Sequence, residues 1–67
     1  MIRERAQLPV NGKECVIQPC TPGGFILLAD GYELTDPNPR WLSESALFSG
    51  ALNVRWDFDL NEARQYV

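Results

Sequence analysis

The chain predicts a small α+β domain, an antiparallel sheet of four to five strands packed by one helix. Three observations lead there. Asn11-Gly12 and Asp30-Gly31 are both dipeptides that favour tight hairpin turns, and each lies between apolar-rich runs. Residues 52–60 alternate apolar and polar without a break. Residues 40–49 carry helix start and stop signals. The 67 residues fit one domain, 1–67, with no linker.

The elements follow in order. A type I′ turn at Asn11-Gly12 places Val10 opposite Lys13, Leu8 opposite Cys15 and Ala6 opposite Ile17. Those six share a mostly apolar face, so residues 5–18 are expected to form a hairpin. Pro9 has no N–H to donate, which puts the first strand at an edge. Pro19, Pro22, Gly23 and Gly24 then make a loop. The second hairpin pairs Ala29 with Tyr32 and Leu27 with Leu34 across Asp30-Gly31. Its first strand carries Phe25, Leu27 and Ala29 on one face, and Ile26 and Leu28 on the other. A strand apolar on both sides is normally central and covered twice.

Pro37 and Pro39 stop the next strand, and Asn38 before Pro39 suits a helix N-cap. The helix is expected over 40–49 and ends at Gly50. Trp41, Leu42, Ser45, Ala46 and Phe48 fall within one stripe, while Leu47 does not. Leu52, Val54, Trp56, Phe58 and Leu60 then define the apolar side of a last strand. Asp59 and Glu62 have capping-box spacing, making 60–67 a candidate short C-terminal helix. The expected core is Leu8, Cys15, Ile17, Phe25, Leu27, Leu34, Trp41, Phe48, Val54, Trp56 and Phe58.

Composition excludes several function classes. The hydrophobic fraction is 45%, ordinary for a folded domain, and no run approaches a membrane span. No secretory leader is visible, so a cytoplasmic protein with reduced thiols is expected. Six basic and nine acidic residues give a net charge of −3. Residues 1–14 are net +1 and residues 15–67 net −4, the opposite of a nucleic-acid footprint. The chain has no histidine, which removes Ser-His-Asp and Cys-His catalysis and the commonest metal ligand. Cys15 and Cys20 are two ligands short of a structural zinc site. Five extended steps also separate them by roughly 16 Å, too far for a disulfide unless Pro19 bends the chain. Neither a metal nor a cofactor is expected.

Carboxylates are the remaining chemistry. Asp57 and Asp59 point to one face of a strand, a spacing that suits oxygen coordination of Mg²⁺ or an acid–base pair. The wet face of a soluble strand accounts for them more economically. Asp30, Glu33 and Asp36 cluster around the second hairpin. Trp41 and Trp56 fall on apolar faces, where core packing outweighs an interface role.

These features point to a non-catalytic protein-binding module. The expectation is a small acidic inhibitor or accessory protein, of the kind phages and other mobile elements encode, that blocks a basic surface of a larger protein. Asp30, Glu33, Asp36, Asp57 and Asp59 are the expected contacts. A nucleic-acid-associated regulator using Arg3, Arg5 and Lys13 is the second reading. The third is a homo-oligomer in which Ile26 and Leu28 bury against a second copy.

Overall fold

The structure, a computed structural model, describes residues 4–20 and 22–59. Its elements are β1 (Glu14–Cys20), β2 (Gly24–Ala29), β3 (Tyr32–Asp36), α1 (Pro39–Phe48) and β4 (Asn53–Trp56). The sheet order is β3-β2-β1-β4. β1 pairs antiparallel with β2, and β2 with β3, but β1 pairs parallel with β4. The sheet is therefore mixed, which corrects the antiparallel expectation. The helix is the reason. After β3 the chain crosses the sheet as α1 and enters β4 in the direction of β1, and parallel neighbours need a crossover of this kind.

The second hairpin has the expected register, with Ala29 opposite Tyr32 and Leu27 opposite Leu34. Gly31, at φ 73°, supplies the left-handed conformation in its turn. The last strand is shorter than expected. It spans Asn53–Trp56, and Asp57 adds one more bond from its N–H to the Ile17 carbonyl at 2.9 Å. The candidate C-terminal helix over 60–67 lies outside the described residues.

The first hairpin does not form. Asn11-Gly12 does make a turn, closed by the Lys13 N–H on the Val10 carbonyl at 3.0 Å. Only Gly12, at φ 73°, takes positive φ; no other residue type does so among the described residues. A type I′ turn needs positive φ at both central positions, whereas one at the second position marks a type II turn. Asp30-Gly31 has the same pattern, positive φ at the glycine alone, and does close a hairpin, so the turn does not decide the outcome; residues 6–8 take hydrogen-bond partners on the helix instead. Pro9 adds a tight bend, with the Val10 N–H on the Leu8 carbonyl at 2.8 Å. β1 pairs instead with β2 and β4.

Residues 4–10 lie along the helix. The Ala6 N–H donates to Ser45 Oγ at 3.1 Å, and the Leu8 N–H to Ser49 Oγ at 2.7 Å. Ser49 Oγ reaches the Ala6 carbonyl at 3.3 Å and the Ser45 carbonyl at 2.7 Å. Trp41 Nε1–H donates to the Glu4 carbonyl at 2.8 Å. The two serines are four residues apart, one turn of helix, so they meet alternate amides of an extended neighbour, those of Ala6 and Leu8. Serines that weaken the helix by propensity here serve as its hydrogen-bonding face.

α1 starts where Asn38 Oδ1 accepts from the Arg40 and Trp41 N–H groups at 2.9 and 3.2 Å. The helix ends at Gly50, whose φ of 86° only glycine adopts readily. The core joins Leu8 and Val10, Cys15 and Ile17, Phe25 and Leu27, and Leu42 and Ala46. Leu34, Trp41, Val54 and Phe58 are partly buried against it. Trp56 is half-buried and meets Phe58 edge-on at 5.0 Å. Phe48 is a correction: expected in the core, it is 57% exposed. The 4–10 segment occupies that flank of the helix, so Ser45 and Ser49 are buried there and Phe48 is displaced outward. Arg5 covers the ring with its guanidinium carbon 5.5 Å from the centroid.

Two predictions follow from these contacts. Ser49→Ala leaves the Leu8 amide without its acceptor and is expected to cost about 2 kcal/mol in urea unfolding, against little for Glu44→Ala on the exposed side. Gly50→Ala and Gly12→Ala are both expected to cost about 1 kcal/mol in urea unfolding. Both positions need positive φ; an added Cβ at Gly50 would meet only the tip of exposed Asn11, which can turn away, and at Gly12 it meets nothing within 4 Å.

Candidate interaction face

All the strand residues of the core project from one face of the sheet, the face under α1. The opposite face carries Glu14, Val16, Gln18, Ile26, Leu28, Glu33, Thr35, Asn53 and Arg55, by strict alternation. Within β2 the contrast is direct. Phe25 and Leu27 are 2% and 0% exposed under the helix, while Ile26 and Leu28 are only half-buried. Val16, beside Leu28 on β1, is half-buried too. None of the three belongs to the core or packs against it. Among the described residues, the elements outside the sheet that pack on the core (α1 and the 4–10 segment) lie on the other face.

Register orders this open face into rows. Glu33, Leu28, Val16 and Arg55 are consecutive partners across β3, β2, β1 and β4. Thr35, Ile26 and Gln18 form the adjacent row. An apolar centre thus lies between an acid on one edge strand and a base on the other, both exposed. A depression at the β2–β3 corner is lined by Leu28 and Glu33 from this face and by Ala29 and Tyr32 from the helix side.

The five expected acidic contacts do not form one cluster. Glu33 is on the open face. Asp57, one step past β4, continues the open-face alternation and is exposed. Asp30 is at the opposite end of the sheet, in the β2–β3 turn, where its carbonyl accepts from Lys13 Nζ at 2.6 Å. Asp36 pairs with Phe25 on the helix side, and its Oδ2 accepts from the Asn38 N–H at 2.8 Å, setting up the helix start. Asp59 is exposed beyond the strand, so it does not share a strand face with Asp57 as expected. Phe58 between them turns inward onto Phe25, with ring centroids 4.7 Å apart. Among the described residues, no three metal-ligating side chains converge.

Cys15 and Cys20 are thiols and not a disulfide. Five positions apart on one strand, they project from opposite faces: Cys15 is in the core and Cys20 on the open side. Burial pushes the Cys15 thiol above its ordinary 9.0, and nearby Lys13 opposes that only in part. A smaller depression of about 220 Å³ lies at the β1–β2 loop, between Cys20, Pro22, Asp36 and Pro37, below the usual size of a ligand pocket. The expected basic contacts are dispersed. Arg5 sits over Phe48 and Lys13 is drawn to the Asp30 carbonyl, while Arg3 lies outside the described residues.

Val16 and Arg55 are the face residues that sequence reasoning missed. Alternation puts both on the polar sides of separate strands, opposite Cys15 and Ile17 and opposite Val54 and Trp56, and only the parallel β1–β4 register brings them together.

Cys15 yields a prediction in two parts. Iodoacetamide is expected to label Cys20 in the native protein and to reach Cys15 only on unfolding, as read by intact mass. The raised pKa also sets a sign. Its stabilising contribution is complete below the ordinary thiol range and declines as pH rises through that range to the raised value. Cys15→Ala is therefore expected to flatten the loss of stability above about pH 9.

No helix of the described residues is long and apolar enough to cross a membrane. Comparison of the chain with protein-family models, curated proteins and solved structures finds no match.

Proposed function

We propose that the protein is a non-catalytic binding module that lays the open face of its sheet against another protein chain. The observation that supports this is the contiguous set Val16, Ile26 and Leu28. These are partly buried aliphatic side chains on the two central strands, each still reached by solvent and bordered by Glu33, Arg55 and Asp57. A protein this small has little apolar area to spare, and an exposed apolar patch with a polar rim marks a contact surface.

Magnitudes describe the contact. Completing the burial of these three partly buried aliphatic side chains contributes about 2 kcal/mol. Association costs at least ~4 kcal/mol in lost rigid-body freedom. The apolar centre therefore needs its rim. Glu33 and Asp57 on the face, with Asp30 and Asp59 beyond its ends, would meet Arg or Lys of a larger partner and raise the association rate. The mechanism is steric: the module occupies a surface the partner would otherwise use.

Affinity capture from a source-cell lysate, split into nuclease-treated and untreated halves, tests this. The expected result is a stoichiometric protein that survives nuclease and is lost with Ile26→Asp, but is retained with Leu52→Asp on the helix side. Recovery that disappears with nuclease, or that ignores Ile26→Asp in a variant of unchanged circular dichroism, would overturn the reading.

A further inference from the structure

We infer that the open face is self-complementary, and that in the absence of a larger partner its occupant is a second copy of this chain. The inference rests on the open face being a docking surface and names what docks there. Its basis is the row Glu33–Leu28–Val16–Arg55, which runs from acid through two aliphatic side chains to base.

Two copies stacked face to face, sheets roughly 10 Å apart, can be related by a two-fold axis in either of two in-plane directions. An axis perpendicular to the strands, along the row, places each residue over itself. Glu33 then faces Glu33 and Arg55 faces Arg55, which is unfavourable. An axis parallel to the strands, between β1 and β2, reverses the row. Glu33 then faces Arg55 of the second copy, Arg55 faces Glu33, and Leu28 covers Val16. The next row reverses with it: Ile26 lies over Gln18, and Thr35 approaches Asp57. Charge order along this row is therefore complementary to its own reverse about this axis, pairing both Glu33 and Arg55; a perpendicular axis moved between the rows would set Arg55 over Asp57 but leave Glu33 over Thr35. The exposed Leu47, Phe48 and Leu52 offer no comparable order; Arg5 over Phe48 is their only charged neighbour in an aromatic contact among the described residues.

Because the same face serves both roles, self-association and partner binding are mutually exclusive. Raising the concentration of the protein should weaken apparent partner affinity, and saturating partner should dissolve the dimer.

Sedimentation equilibrium of the full chain, on the order of 10 µM to 1 mM, reads the association directly. The wild type is expected to shift from monomer towards dimer across that range. Each single reversal, E33R or R55E, sets like charges against each other twice per dimer and is expected to weaken it about tenfold. The double reversal E33R/R55E is expected to restore wild-type association, which a loss of folding could not do. Both positions are exposed, and thermal melts check that each variant folds. A constant monomer mass overturns the inference. If a larger protein then binds in a manner sensitive to Ile26→Asp, that protein is the occupant and the functional reading survives alone. A dimer that ignores both charge reversals but is broken by Phe48→Asp or Leu52→Asp would also overturn it.

Discussion

One helix of ten residues can cover only one face of a four-stranded sheet, and the rest of the molecule follows from that limit. β2 is apolar on both sides, so whichever face the helix takes, the other keeps aliphatic side chains that no other described element covers. The helix takes the Phe25–Leu27 face. Residues 4–10 are the remaining described chain that is long enough to shield Ile26 and Leu28. Ser45 and Ser49 hold that segment on the helix side instead, through its Ala6 and Leu8 amides. The serine contacts thus complete the core and leave the other face open.

The same limit explains the parallel strand. With α1 spent on the crossover, β4 reaches the β1 edge and brings Arg55 into the row of Val16. Without β4 there, the open face would carry an acid at one edge and no base at the other. The ordering of charge along the row is a product of topology, and topology here comes from where the single helix must lie.

Local chemistry made part of this legible in advance. The second hairpin, the Asn38 cap, the Gly50 stop and the doubly apolar strand all rest on interactions within a few residues, and each formed at its place. The first hairpin failed because the serines 39 and 41 residues away in sequence offered the Ala6 and Leu8 amides a competing set of partners. Phe48 was misplaced for the same reason, since helical periodicity cannot reveal which flank a distant segment will occupy. The candidate site was half-visible. Ile26 and Leu28 announced an uncovered face, but their neighbours Val16, Glu33 and Arg55 are set by strand order, which alternation does not encode. The acidic contacts were read as one surface from their nearness in sequence, and the sheet then sent Asp30 and Asp36 to opposite ends.

The central claim is that the face left open by the helix is where this protein meets another chain, and in the first instance itself. Isotope-filtered nuclear Overhauser spectra on a mixed labelled and unlabelled sample at high concentration test it most directly. The account predicts intermolecular contacts between the methyls of Leu28 in one copy and Val16 in the other. Their absence, or intermolecular contacts confined to Leu47, Phe48 and Leu52, would contradict it.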